Sequence, residues 1–237
     1  DRGVVIPFCE SNGTTTDFLP QQKAKMLKQE RYRKRWQRKL ARRVKGSSGW
    51  HKAKKRVAQS YVYAKNVRHD LAHQLSYRLT HQPNIRLIVF EDLKIKNMTK
   101  APLPKPDPDK AGAYLPNGAN AKAGLNKAIL NVGWGQVLLF TQYKALKNNK
   151  LCITVPPHFS SQECSDCGHV HSDNRLTQSL FVCQSCGFTC HADINAGRVI
   201  QKRGVKQVVS LTIKEKTVKS TMRLTQPKQS VQNKTVR

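Results

Sequence analysis

Two Cys-x-x-Cys pairs constrain the fold of this 237-residue chain more than any other feature. They lie fifteen residues apart, and their members are Cys164 with Cys167 and Cys183 with Cys186. Two such pairs at this separation are typical of a structural zinc site with four thiolate ligands. A glycine, Gly168 or Gly187, directly follows each pair, and glycine permits the left-handed backbone that lets thiolates converge on one ion. The sequence therefore predicts a zinc site, and the alternative is a pair of disulfides.

The remaining cysteines favour zinc over disulfides. Four of the seven cysteines stand at zinc spacing, which leaves Cys9, Cys152 and Cys190 unassigned. An odd remainder fits a reducing compartment better than an oxidised scaffold, and the first residues do not resemble a secretory signal peptide. We interpret Cys190 as a free thiol. A substitute ligand set that combines Cys190 and His191 with the second pair is the alternative.

The balance of charge predicts a polyanionic partner. The chain has 43 Lys and Arg against 14 Asp and Glu, a formal net charge of +29. Nucleic acid is the partner that best offsets self-repulsion of this size, although a ribosomal or histone-like structural role would produce the same balance. Because no run of about 18 apolar residues occurs, no membrane span is predicted. We expect a cytoplasmic, nucleoid-associated protein.

Much of this charge lies in a predicted helical hairpin over residues 20–80. Sixteen Lys and Arg stand between Lys23 and Arg56, against one acid, Glu30. Apolar residues recur every four positions on each side of a break at 46–49, which predicts two long helices. A merely solvated face would mix both signs of charge, so phosphate binding is the favoured interpretation of the hairpin.

Two segments in the first half of the chain place acids at the edges of predicted elements. Residues 1–19 predict two short strands around the turn Asn12-Gly13, with Asp1 at the head of the first strand. Residues 84–93 predict a buried strand that ends on Glu91-Asp92. Because side chains alternate across a strand, these two acids should face opposite ways, and spacing alone does not choose between them.

The rest of the chain predicts further α/β elements. Residues 94–122 predict an extended, proline-punctuated loop, and residues 125–147 predict a largely buried helix, kinked or closely approached at Gly133 and Gly135. A strand follows at 151–155. Asp193 stands near the amino end of a last helix, where a plain helix cap is the local interpretation. From residue 204 onward the polar, basic sequence predicts a disordered tail.

The order of these elements fits a mixed α/β sheet of the RNase H type. Such a layout lets carboxylates from distant segments converge. Three converging carboxylates in a strongly basic protein suit Mg²⁺ or Mn²⁺, which bind oxygen ligands and phosphates. Two such ions roughly 3.5–4 Å apart can clamp the attacking and leaving oxygens of a phosphodiester.

Seven segments resemble, in the same order, those of the transposon-encoded TnpB/OrfB nucleases, a transposase-annotated family related to the type V CRISPR effectors. The segments are DRGVV, FEDLKIKNMT, KAGLNKAIL, YKA, VPPHFSSQECSDCGH, NRLTQSLFVCQSCG and HADINAG, and the resemblance covers nearly all of residues 1–203. It implies an RNase H-like (RuvC) mixed α/β sheet with an inserted basic helical hairpin and an inserted zinc ribbon.

The resemblance also implies a domain organisation. The RuvC-like core would span residues 1–158, with the zinc ribbon at 159–190 and the last catalytic helix at 191–203. Residues 204–237 would form the basic tail. The chain starts at Asp1 rather than at methionine, which we interpret as an amino-terminal truncation.

The resemblance assigns the site residues one by one. The family's catalytic acids, in D-x-G-V, E-D-L and D-x-N-A motifs, fall on Asp1, Glu91 and Asp193, so that Glu91 is chosen over Asp92. These acids would hold Mg²⁺ or Mn²⁺. The family's structural zinc ligands fall on Cys164, Cys167, Cys183 and Cys186.

The function that the resemblance implies is metal-dependent DNA cleavage by an RNA-guided endonuclease, with DNA and a guide RNA as partners. The alternative is a non-catalytic zinc-ribbon remnant or regulator that binds nucleic acid. Arg175 and Lys127 are further candidates for phosphate contacts, and for both of them an ordinary surface cation is an equal alternative.

Overall fold

The structure is a computed structural model that describes residues 1–110 and 112–224. Its first half contains β1 (Phe8–Cys9), β2 (Thr15–Thr16), α1 (Pro20–Ala41), α2 (Ser48–His81), β3 (Leu87–Glu91), α3 (Ile95–Met98), β4 (Lys105–Pro106) and β5 (Tyr114–Leu115). Its second half contains α4 (Ala119–Val132), α5 (Trp134–Lys147), β6 (Leu151–Val155), β7 (Leu180–Val182), β8 (Thr189–His191) and α6 (Ala192–Leu224). This mixture of helices and strands confirms the α/β class. None of the described helices is long and apolar enough to cross a membrane.

The basic hairpin forms as predicted from α1 and α2. Gly46 turns the chain with a φ of +86°, which a residue with a side chain rarely adopts. Ser47 then caps α2, because its hydroxyl accepts a hydrogen bond from the Trp50 backbone N–H at 3.2 Å. No residue of α1 is buried, so this helix keeps its charged surface in water.

The two strands that the apolar runs predict are present, and they pair in parallel. β3 and β6 pair in a register that runs from Leu87 opposite Leu151 to Glu91 opposite Val155. One face of this pair contributes Ile88 to a core cluster with buried residues of α2, α4 and α5. The carboxyl end of β3 thus carries Glu91 to the edge of a packed core.

The first strand is shorter than predicted, and it does not join the parallel pair. β1 starts at Phe8 and pairs only with β2, antiparallel across the Asn12-Gly13 turn. The apolar residues before it bend instead, since the Gly3 N–H donates to the Pro7 carbonyl at 3.3 Å and Pro7 has no N–H to continue a ladder. Within the described residues the strands form four separate pairs, and one continuous mixed sheet is not observed.

The predicted helix over 125–147 is two helices, broken at Gly133. This glycine has a φ of +82°, and α4 ends and α5 begins at it. Gly135 lies within α5 and has open space around it. The prediction that this segment is largely buried is wrong. One face of α5 packs in the core through Val137 and Ala145, while Leu139 and Leu146 are exposed.

The proline-punctuated loop contains more structure than predicted. A one-turn helix, α3, opens it, and the strands β4 and β5 pair antiparallel within it. Pro106 has no backbone N–H to donate. It is tolerated here because β4 is a two-residue strand at the edge of a sheet. The loop also ends earlier than residue 122, since α4 begins at Ala119.

The last helix is longer than predicted. α6 continues to Leu224, well past residue 203, so a disordered tail from residue 204 is wrong for the described part. The first proline after the helix starts is Pro227, so no proline interrupts a helix that already has its nucleus. Residues 225–237 of the predicted tail lie outside the described residues.

α6 contacts the parallel strand pair through a glycine. A Cβ atom at Gly204 would overlap both methyl groups of Val89 on β3. A second close approach occurs at Gly197, where a Cβ would lie 3.4 Å from the Ser11 backbone. The absence of a side chain at Gly204 lets α6 lie close to β3, and at Gly197 the helix is in van der Waals range of the β1–β2 turn.

We expect Gly204→Ala to destabilise the chain, because the new methyl group has no room unless α6 moves away from β3. Overpacking of this kind costs about 1–3 kcal/mol, which urea denaturation followed by circular dichroism measures. Gly135→Ala is the matched control, since that helical glycine has open space around it. Equal stability of the two variants would contradict the close packing of α6.

Candidate functional site

The two cysteine knuckles have the same backbone geometry. In each, the glycine N–H donates at 3.0 Å to the carbonyl of the first cysteine. The first cysteine's N–H in turn donates at 2.9 Å to the carbonyl of the residue after the glycine. Gly168 and Gly187 have φ angles of +80° and +72°, as the sequence predicts for these positions. Each loop therefore presents its two thiols to the same side.

The four thiols meet at one point. Their sulfur atoms all lie within 4.8 Å of one another, with Cys164 Sγ 3.8 Å from Cys186 Sγ and Cys167 Sγ 3.6 Å from Cys183 Sγ. A tetrahedral zinc ion with Zn–S bonds of about 2.3 Å places its sulfurs about 3.8 Å apart. A disulfide would need about 2.05 Å, and all seven cysteines are free thiols. The donor set and its spacing therefore fit one zinc ion.

The charges within this cluster also favour a bound cation. Burial is the largest single influence on the Cys183 thiol and raises its pKa, but hydrogen bonds from the backbone of Cys186 and Ser185 and from the thiols of Cys186 and Cys167 together lower the pKa to about 6. The Phe188 N–H acts to lower the pKa of Cys186, yet burial and the neighbouring sulfurs raise it to about 12. Adjacent thiols thus resist simultaneous ionisation, because neighbouring thiolates repel each other. A bound dication offsets this repulsion.

Cys190 lies outside the cluster. Its strand, β8, pairs with β7, and its thiol donates to the His191 carbonyl at 3.5 Å. Burial raises the pKa of this thiol, which keeps it protonated at neutral pH. The structure therefore gives no support to a ligand set containing Cys190.

We expect the purified chain to retain one zinc ion per molecule and Cys167→Ser to lose it, because serine cannot replace a thiolate ligand. Cys190→Ser is the matched control and should retain the zinc. Elemental analysis after dialysis against a weak chelator measures both. Equal zinc content in the two variants would contradict the four-cysteine assignment.

Glu91 and Asp92 face opposite ways, as alternation along the strand predicts. Glu91 is only 6% exposed, and its carboxylate accepts the Arg2 backbone N–H at 3.2 Å. Asp92 is half-exposed and forms an ion pair with Lys94 at 2.7 Å. Of these two acids, Glu91 is the one inside the molecule.

Asp1 lies beside Glu91 and Asp193. Its amino group donates to the Cys9 carbonyl at 2.8 Å, and the Cys9 N–H returns a hydrogen bond to Asp1 at 3.0 Å. Burial lowers the pKa of this amino group, while the nearby Glu91 and Asp193 carboxylates act to raise it. Three segments that are far apart in the sequence thus meet in one neighbourhood.

The three carboxylates do not, however, form a ligand set in this arrangement. Among the described residues, the four cysteines bring their ligand atoms within 4.8 Å of one another, and the three acids do not. The Asp193 carboxylate instead pairs with Arg175, and the Arg2 guanidinium lies close enough to Glu91 for the two charges to interact. The carboxylates would have to move together to bind a divalent cation.

Two arginines at this site are more important than the sequence indicated. Arg175 reaches from the ribbon to within 3.7 Å of the Asp193 carboxylate, and this ion pair favours a site role over a plain surface cation. Arg2, which sequence analysis missed, is 7% exposed and donates from its guanidinium to the Glu91 carbonyl. The only sequence signal for Arg2 was its position next to Asp1. Lys127, in contrast, forms an ion pair with Glu30 on α1.

Two family models match the chain. The first, described as "Probable transposase", matches residues 2–101, and the second, described as "Cas12f1-like, TNB domain", matches residues 134–200. Together they contain Glu91, Asp193 and the four clustered cysteines.

Two curated relatives are also similar to this chain. The "Putative RNA-guided DNA endonuclease InsQ" of Escherichia coli (strain K12) is 38% identical over 206 residues, which is 86% of this chain and 48% of the relative. A "CRISPR-associated endodeoxyribonuclease Cas12f1" of Sulfoacidibacillus thermotolerans is 38% identical over 72 residues, 30% of this chain and 17% of that protein. The chain therefore spans about half the length of InsQ and a smaller part of Cas12f1.

Among solved structures, the cryo-EM structure of a Cas12f1–sgRNA–target DNA complex aligns with a TM-score of 0.44 and 16% identity. The alignment covers 62% of this chain and 37% of that chain.

Proposed function

Since the chain belongs to the TnpB/OrfB family of transposon-encoded proteins, we propose that it is the nuclease and zinc-ribbon part of an RNA-guided DNA endonuclease. The observation that carries the proposal is the meeting of Asp1, Glu91 and Asp193 around the end of β3. The proposed partners are DNA and a guide RNA. The name of one relative, InsQ, describes that protein as an RNA-guided DNA endonuclease.

We place the catalytic core of an RNase H-like (RuvC) type in residues 1–158 together with α6, and the zinc ribbon in residues 159–190. The parallel pair of β3 and β6 with α6 packed against it supports this division. Zinc bound to the four thiolates would hold the two knuckles together, as metal binding and folding are coupled in small metal-stabilised modules.

The three acids have the oxygen chemistry that Mg²⁺ or Mn²⁺ prefers. A cation bound there would offset the negative charge that develops on a phosphodiester during hydrolysis. In the arrangement described here Arg175 pairs with Asp193, and Arg2 with the backbone at Glu91. We propose that a substrate phosphate displaces the Asp193 carboxylate from the Arg175 guanidinium. The carboxylate is then free to bind a cation.

The basic hairpin is the proposed nucleic-acid surface. Residues 31–69 contain fifteen Lys and Arg and no Asp or Glu, and α1 buries no residue. Cations on exposed helices bind phosphates by releasing condensed counterions, which makes the affinity steeply salt-dependent. Two cation–π contacts, Lys25 over Tyr63 and Arg33 over Tyr61, both at 4.3 Å, tie the helices together without consuming charge.

We expect Glu91→Gln to abolish Mg²⁺-dependent DNA cleavage by the endonuclease that contains this chain, because a neutral amide cannot replace a metal-binding carboxylate. DNA binding should be unchanged, since Glu91 is buried away from the hairpin. Asp92→Asn is the matched control and should cleave normally. A gel assay of cleavage and a filter-binding assay test this, and full cleavage by Glu91→Gln would refute the assignment.

We expect the triple variant Arg35→Gln, Arg38→Gln and Arg42→Gln to flatten the salt dependence of nucleic-acid binding. Each lost phosphate contact lowers the slope of log K against log salt by roughly 0.9 for duplex DNA. The control replaces Lys100, Lys105 and Lys110, which removes equal charge from the proline-rich loop. Equal slopes in the two variants would exclude the hairpin as the binding surface.

A second candidate function is non-catalytic nucleic-acid binding by a zinc-ribbon protein. The observation that favours it is the separation of the three carboxylates, with cations among them. This candidate predicts salt-sensitive, sequence-indifferent binding. Metal-dependent nicking of single-stranded DNA by the chain would rule it out.

A further inference from the structure

The first turns of α6 are attached to the zinc knuckle through one asparagine. Asn195 is fully buried, with 0% exposure. Its side-chain oxygen accepts the Ser165 backbone N–H at 2.8 Å, and its side-chain nitrogen donates to the Glu163 carbonyl at 2.7 Å. These two backbone groups flank Cys164, one of the four clustered cysteines. Both ends of the asparagine amide are therefore used to hold one ligand in place.

Other contacts repeat this attachment. The Lys202 ammonium donates to the Ser165 carbonyl, and Arg203 forms an ion pair with the Glu163 carboxylate. Ala192, the first residue of α6, is buried with Cys164 and Cys183 in the small core of the ribbon. The helix therefore contacts the two residues on either side of Cys164 at three of its positions.

Asp193 lies on the same helical turn as Asn195, between these attachments. Its backbone N–H donates to His191 Nδ1 at 3.3 Å, and its carboxylate pairs with Arg175 of the ribbon. Arg175 is in turn held by the Gln178 carbonyl at 3.1 Å. Both the backbone and the carboxylate of Asp193 thus depend on parts of the ribbon.

We propose that Asn195 is the positioning residue that couples the four-thiol cluster to Asp193, so that zinc binding fixes the first turn of α6. Because Cys164 anchors the knuckle, a metal bound to its sulfur orders the backbone of residues 163–165. The Asn195 amide then transmits that order to the helix. Zinc loss releases the same two hydrogen bonds, which leaves the acid on a fraying helix end. The role of Asp193 in this inference rests on the proposed function; the coupling itself does not.

The variant Asn195→Ala tests the coupling in the purified full chain. Loss of an outer hydrogen-bond partner of a metal ligand typically costs 10–100-fold in affinity, so we expect zinc affinity to fall at least tenfold. Asn195→Asp should fall as far, because its second oxygen would face the Glu163 carbonyl. The matched control is Asn126→Ala, whose side chain bonds the backbone at Thr99 and Lys100, away from the ribbon. Competition with a chromophoric chelator measures all three affinities.

Two further readouts separate positioning from general loss of structure. With Co²⁺ in place of zinc, the absorption bands of the four-thiolate complex should change in Asn195→Ala but not in Asn126→Ala. Amide hydrogen exchange should increase over residues 192–197 in zinc-loaded Asn195→Ala, while the β7–β8 pair keeps its protection. Removal of zinc from the native chain should increase exchange over the same residues.

Native zinc affinity together with native protection of residues 192–197 in Asn195→Ala would overturn the proposal. So would loss of protection over β7–β8 or the α1–α2 hairpin in this variant, since that result means a general structural role. None of these measurements involves DNA cleavage. A failure of the nuclease assignment would therefore leave the coupling intact, and the reverse also holds.

Discussion

The close packing of α6 is the constraint on which the arrangement of this protein depends. One helix contacts the parallel strand pair through Gly204, the β1–β2 turn through Gly197 and the zinc knuckle through Asn195. The contact at Gly204 requires the absence of a side chain, and the contact at Asn195 requires an amide that is completely buried and satisfied at both ends. Because these contacts lie on one rigid element, the ribbon and the strands are held in a defined relation.

The same helix determines the electrostatics of the candidate site. α6 places Asp193 near Glu91, which is the last residue of β3. Acids that approach each other inside a protein need compensating charge, and here Arg2 beside Glu91 and Arg175 beside Asp193 supply it. The strongly basic character of the chain has two different uses. Exposed cations on the hairpin remain available to phosphates, whereas Arg2, which is buried, and Arg175, which is half-buried, offset the charge of the acids.

Much of the fold follows from local sequence. The break between α1 and α2 was predicted because glycine and serine interrupt an apolar stripe, and the strands at 87–91 and 151–155 because their runs are short, apolar and β-branched. The first strand was predicted too long, since a valine-rich run does not reveal that Gly3 and Pro7 bend it. The end of α6 was missed because polar composition resembles disorder, although nothing in the segment before Pro227 interrupts a helix.

The sequence by itself determined the cysteine cluster. Each knuckle is a local structure, because its two thiols and its glycine lie within five consecutive residues. It also determined the charge of the hairpin and the fact that Glu91 and Asp92 face opposite ways. Only the tertiary structure decided which acid is buried, that Arg2 and Arg175 stand among the acids, and that the three carboxylates share a neighbourhood without sharing a ligand distance. The reason is physical: spacing along a chain fixes direction within one element, whereas distances between elements depend on how closely their side chains allow them to pack.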